Sequence, residues 1–213
     1  MSKIIITINR ECGSGGGEIA RLLGEKLGFK VYGRAVLEAV AKHFGITLEE
    51  MDRIKAQKTN WWSEFCTFYQ QFGAAGYIQG TTITEPTPKS LFYAEERFLR
   101  DLAEKESCII VGRAGFHIFR NDPNALHFLI RAKREARIAR IARKQNLSAE
   151  EAAKVLDRVD HARDNFVETV AEASRYDARH YNFVFDVTGM DPEKVASFLA
   201  ENIRYYESKI AAH

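Results

Sequence analysis

Residues 8–28 read INRECGSGGGEIARLLGEKLG, and the reading of this stretch decides the fold. The run leading into it, residues 3–8, is apolar and β-branched, as a buried strand is. The run that closes it, residues 18–27, sets Ile19, Leu22, Leu23 and Leu27 on one helical face. Between them Gly13, Gly15, Gly16 and Gly17 permit positive φ and a close ligand approach. Successive amides in such a bend can hold phosphate oxygens, and the positive end of the following helix adds to the attraction. The usual consensus for such a loop ends in Gly-Lys-Ser/Thr. This chain has Gly15, Gly16 and Gly17 there, so both the lysine and the hydroxyl are missing. Ser14 is the loop's own hydroxyl and Arg10 its nearest cation. An ordinary glycine turn is the alternative; the flanking strand and helix favour the anion site.

At 213 residues the chain suits one domain, residues 1–213, with room for a small insertion. Hydrophobic residues at 46% and charged residues at 28% match globular averages, which excludes long disorder. A net charge of +2 makes no demand for nucleic acid but suits anionic small molecules if the positive charge is clustered. Cys12, Cys66 and Cys108 are too few and too scattered for a disulfide framework or a zinc site. Cys12, inside the loop, could be a reactive thiol but reads first as a small filler, and Cys108 reads as a buried thiol. No stretch approaches the roughly 18 apolar residues of a membrane span, and the default expectation is a cytoplasmic protein.

Apolar runs at residues 3–8, 29–32, 107–111, 126–130 and 183–187 predict strands covered on both faces. Helical patterns separate them, among them 18–27, 35–44 and 91–105. Ser148 and Glu151 form a capping-box pattern, and Asp191-Pro192 supplies a cap and a first-turn proline. This alternation predicts an α/β fold with a parallel sheet, whose ligand sits beyond the carboxyl ends of the strands. Residues 59–90 interrupt the alternation with a helical aromatic stripe of Trp61, Phe65, Phe68 or Tyr69, and Phe72, followed by Gly, Thr and Pro. They predict an insertion that leans over the sheet or pairs with another subunit; Trp62 has no assigned role.

Other cations could do the work of the missing lysine. Residues 131–148, RAKREARIARIARKQNLS, put Lys133, Arg137, Arg140 and Lys144 on one helical stripe and Ile138 and Ile141 on another. Asp160 and Arg163 are spaced to pair on the next helix. Together, residues 131–180 predict a helical lid whose inward arginines grip phosphate oxygens and exclude water. Arg34 and Arg113 each follow a predicted strand, on the ligand side.

Taken in order, ITINRECGSGGGEIARLLGEKLG, VYGRAVLEAVAKHFGI, IIVGRAGFHIF, FLIRAKREARIARI and LSAEEAAKVLDRVDHARDNF resemble the cytidylate kinase-like family of P-loop proteins over most of the chain. The resemblance implies a P-loop NTPase-like three-layer fold with a five-stranded parallel sheet, a helical lid and a separate monophosphate-binding region. It implies ATP and Mg²⁺ as cofactors and nucleoside mono- and triphosphates as partners. Gly13–Gly17 would hold donor phosphates, Arg137, Arg140 and Arg163 would be lid cations on the transferring group, and Arg34 and Arg113 would hold the acceptor monophosphate. The branch tends to lack the loop lysine. This chain departs from its pattern at Gly17, Gly33 and Phe166, and in the tail VETVAEASRYDARH.

The reading this supports is phosphoryl transfer from ATP to a nucleoside monophosphate, CMP or dCMP first. A nucleotide- or phosphate-binding protein without catalysis, favoured by the lost lysine, is the alternative from another class. Kinase activity on a non-nucleotide small molecule is a third. Nucleic-acid binding through residues 131–144 is the weakest, since one basic stripe on a near-neutral chain gives little affinity. Metal ligands and oligomeric state are left open by the sequence, a homo-oligomer being compatible with it.

Overall fold

The computed structural model describes residues 3–33 and 88–210, with scattered positions between 36 and 50. Arg34, Trp61, Trp62 and Cys66 lie outside the described residues, as do residues 59–87 of the expected insertion and much of the helix expected at 35–44. The chain divides into two compact units, Met1–Gly33 with Asp101–His213, and Arg34–Arg100.

In the first unit, β1 (Ile5–Arg10), β2 (Lys30–Tyr32), β3 (Cys108–Val111), β4 (Ala125–Arg131) and β5 (Phe183–Asp186) form one sheet. All pairings are parallel and the order is β2-β3-β1-β4-β5. Every expected strand is present. β1 continues past its apolar run, and its pairing with β4 ends only at Arg10 opposite Ile130. The chain leaves β1 toward β2 and β3 on one side and reaches β4 and β5 on the other. The crevice of an open α/β sheet therefore falls at the carboxyl end of β1, where the glycine loop begins.

Alternation along β1 explains how that end is held. Ile4, Ile6 and Ile8 enter the main core with Ile19, Leu23, Phe128 and Leu199. Thr7 and Asn9 face the other way and are buried. Thr7 Oγ1 shares a hydrogen bond with His127 Nδ1 at 2.8 Å, and Asn9 Nδ2 donates to the Tyr181 hydroxyl at 2.6 Å. Buried polar groups that find partners in this way cost little and fix the strand's register.

Among the described residues the helical elements include α1 (Gly16–Leu27), α2 (Pro88–Ala103), α3 (Gly115–Ile118), α4 (Arg134–Gln145), α5 (Ala149–Ala171) and α6 (Pro192–Ile210), with a 3₁₀ turn at Ala178–His180. α1 and α6 pack together on the Ile4–Ile6–Ile8 face. α4 and α5 form a helical hairpin joined by Asn146–Ser148, and both bonds of the Ser148–Glu151 capping box are made. No helix among the described residues is long and apolar enough to cross a membrane.

Candidate active site

The bend between β1 and α1 borders an open cleft of about 1080 Å³. Gly13, Gly15, Gly16 and Gly17 line it together with Arg10, Arg140 and Arg163, and Arg21, Arg143 and Lys144 add further positive charge. Among the described residues the amides of Gly13, Gly15 and Gly17 have no hydrogen-bond partner. Unspent donors beside a helix N-terminus are what an oxyanion needs. Ser14 is fully buried; its hydroxyl donates to the Glu11 carbonyl at 2.9 Å and accepts from the Gly16 amide at 3.3 Å. It closes the turn from within.

The loop is pressed against α4. Gly13 has φ +76°, and a Cβ there would lie 2.7 Å from the Arg137 carbonyl oxygen. Gly13→Ala therefore meets a strained backbone and a fixed main chain together. We expect it to lose about 2–4 kcal/mol of stability, read by chemical denaturation. A loss below about 0.5 kcal/mol would show that the loop is not clamped.

Asp160 of α5, buried at 8% exposure, ties the hairpin to the loop. Its Oδ1 accepts from the Cys12 amide at 2.9 Å and from Arg175 Nη2 at 3.0 Å; its Oδ2 accepts from Arg137 Nη1 at 2.6 Å. Burial pushes the Asp160 carboxyl up, but the Cys12 amide, Arg137 and Arg175 outweigh it and hold the group below its ordinary value. Guanidiniums also take the loop's carbonyls. Arg137 donates to Cys12, Arg140 to Gly13, and both Arg163 and Arg175 to Arg10. Glu11 completes the clamp, accepting from the Ala132 amide at 2.9 Å with Arg137 Nε at 3.6 Å. Cys12 packs beside Ile141, Ala152 and Leu156 as the expected filler, and burial pushes its thiol up.

A second, small cavity of about 40 Å³ lies behind the loop, lined by Thr7, Asn9, Gly112, Arg113, Phe166 and Arg175 among others. Arg10 and Arg163 line both spaces. Gly112, Arg113 and Ala114 all have positive φ (76°, 57° and 49°), a turn that costs the two non-glycine residues about 1–2 kcal/mol each. It directs Arg113 toward the cavity, with its guanidinium 6.0 Å from the centre of the Phe166 ring. Arg10 has no ion-pair partner among the described residues. Burial, then Arg163, Arg113 and Arg175, push its guanidinium down to about 9. Arg163 is lowered as well, chiefly by burial. The cluster carries more positive charge than Asp160 and Asp164 balance, and an anion would relieve it.

Of the cations expected from sequence, Arg10, Arg140 and Arg163 come together at the cleft and Arg113 at the cavity. Arg137 does not line the cleft; its head group is committed to Asp160 and Glu11. Asp160 does face Arg163, at 3.8 Å, but its close partners are Arg137 and Arg175. Sequence reasoning misses Arg175, 2% exposed and bonded to Asp160, Asp164 and the Tyr176 hydroxyl. It lies beyond α5, where no helical spacing links it to the aspartates. The loop amides and cations fit a nucleotide's phosphates. A protein-held Mg²⁺ fits less well. Ser14 is turned inward, Asp186 accepts from Thr188, and the described residues contain no cluster of three His, Cys, Asp or Glu side chains suited to a metal.

A glycine loop between the first strand and first helix of a five-stranded parallel sheet, overlain by an arginine-bearing hairpin, defines a P-loop kinase fold. Solved structures share it. A protein from Eubacterium ventriosum superposes with a TM-score of 0.68 at 22% identity, over 95% of this chain and 99% of that one. Shikimate kinase from Bacteroides thetaiotaomicron gives 0.52 at 13% identity, over 94% and 98%. TT1252 from Thermus thermophilus gives 0.52 at 16%, over 97% and 98%. The profile of the cytidylate kinase-like family matches residues 5–189, and the chain belongs to that family. No curated protein is similar enough to match it.

Proposed function

We propose that this protein transfers a phosphoryl group from ATP to a nucleoside monophosphate, with CMP and dCMP the first acceptors to test. Family membership supports a kinase; the acceptor is our inference. One observation carries it: Arg10 and Arg163 border both the loop cleft and the cavity behind it. Cations shared by two adjoining anion sites are where a group in transit between donor and acceptor gains most. Phosphoryl transfer asks little covalent chemistry of a protein and depends on positioning and on charge aimed at the moving group.

In this reading the loop amides and Arg140 hold the donor's phosphates. Arg163 and Arg10 face the transferring phosphoryl, and Arg113 meets the acceptor's phosphate from the cavity side. The cavity's size suits an anionic oxygen and not a whole nucleoside. An acceptor oxygen forms the new P–O bond as the β–γ bridging bond breaks, and that electron pair departs on ADP. Arg137 positions the loop from beneath. ATP and Mg²⁺ would be the cofactors, the metal being held mainly by the phosphates and water.

Turnover of CMP or dCMP with ATP and Mg²⁺, followed in a coupled assay of purified protein, is the expected result. The second reading is a nucleotide-binding protein without catalysis, favoured by glycines at both the lysine and hydroxyl positions. Nucleotide binding by calorimetry with no transfer to any monophosphate or small alcohol would select it. Transfer to a non-nucleotide alcohol alone would keep the kinase and reject the acceptor.

A further inference from the structure

Aligned with Gly15 as its second glycine, the consensus Gly-x-x-x-x-Gly-Lys-Ser/Thr has its first glycine at position 10 and its lysine at position 16. This chain has arginine at 10 and glycine at 16. The two positions touch. A Cβ on Gly16 would lie 2.7 Å from Arg10 Cβ, 3.1 Å from Arg10 Cγ and 3.3 Å from Ile130 Cβ. The stem of Arg10 therefore fills the space a side chain at 16 would leave through. The head group runs on to the end of β3, where a Cβ on Gly112 would collide with Nη1. Two glycines thus make the channel through which Arg10 passes. Along it the side chain makes no hydrogen bond and no ion pair among the described residues, although it borders both anion spaces.

We propose that Arg10 and Gly16 are a reciprocal exchange, in which an arginine at the end of β1 has taken over the contact to the terminal phosphoryl that the consensus lysine makes from the first turn of the helix. This rests on the nucleotide reading above. The relocation changes more than the origin of the charge. A lysine at 16 would approach the phosphates from the loop side as a point charge. Arg10 approaches from the sheet side, between cleft and cavity, with a planar fork able to take two oxygens at once. Gly16 is glycine because Arg10 needs its space. The loss of lysine is then a rewiring of the loop and not its decay.

Electrostatics supports the same assignment. Burial and the neighbouring Arg163, Arg113 and Arg175 disfavour the charge on the Arg10 guanidinium in the free protein. A phosphoryl oxygen beside it would relieve that penalty.

The test uses calorimetry with ADP and with a non-hydrolysable ATP analogue, and thermal melting to confirm folding. Arg10→Gln keeps the stem against Gly16 and removes the charge. It is expected to weaken the analogue by about 10–100-fold and ADP by less than about threefold. Gly16→Lys alone should weaken both ligands, because two side chains contend for one space. Adding Arg10→Gly to Gly16→Lys should recover analogue affinity to well above that of Arg10→Gln. Equal losses for both nucleotides in Arg10→Gln, no loss at all, or a Gly16→Lys protein that binds like wild type would each overturn the exchange. Should wild type bind neither nucleotide, the proposed function fails by itself, and inorganic tripolyphosphate becomes the probe. Arg10→Gln binding tripolyphosphate as wild type does, or wild type failing to bind it, would then reject the exchange as well.

Discussion

Asp160→Ala is expected to lower the unfolding free energy by about 3–5 kcal/mol, the range found when one member of a buried ion pair is removed. Three donors lose an acceptor at once: the Cys12 amide, Arg137 Nη1 and Arg175 Nη2. Arg175 retains Asp164 and the Arg10 carbonyl, and Arg137 the Cys12 carbonyl and Glu11 at 3.6 Å, so the buried guanidiniums keep only part of their compensation. Asp160→Asn keeps the shape but drops the charge, and should cost less than alanine. The pH dependence follows from the lowered carboxyl. A folded value below the unfolded one means that stability is fully present above the ordinary carboxylate pKa of about 4 and is lost as pH falls below it. Urea denaturation at pH 7 and pH 3 should show the wild-type advantage over Asp160→Asn shrinking at the lower value. An advantage independent of pH would remove the ionised hub.

Arg163→Ala is the variant expected to separate chemistry from binding. Its guanidinium borders both anion spaces and is held loosely, with the Arg10 carbonyl at 3.2 Å and Asp160 at 3.8 Å. A group that meets charge only as it moves is lost from kcat. We expect turnover to drop by about 10²–10³-fold, with ATP affinity within a few-fold of wild type. Arg137→Ala should differ in kind, lowering the midpoint of unfolding along with activity, because its head group supports the loop from outside the cleft. An Arg163→Ala enzyme with unchanged kcat and raised KM would make Arg163 an ordinary binding residue.

Much of this was legible in the sequence where short range dominates. All five strands, the capping box and the glycine loop are set by local pattern, and the structure contains each of them. The length of β1 was less legible. Asn9 and Arg10 look like loop residues, and only pairing with β4 makes them strand. The sequence makes the stripe on α4 cationic, but spacing along one helix cannot say which arginine an aspartate on another helix will claim. Arg137 and Arg140 sit one turn apart; one is taken into the clamp and the other borders the cleft. Arg175 was invisible for the same reason at greater range, and the short α3 has too few residues to show a period.

Because guanidiniums from beyond β4 close on the carbonyls of residues 10, 12 and 13, the glycine segment is not a portable cassette. Grafted alone onto another scaffold it would arrive without the scaffolding that keeps its amides facing outward. Its ancestry should be traced through pairs of matched changes across the chain, since neither half of the arrangement has a reason to persist without the other.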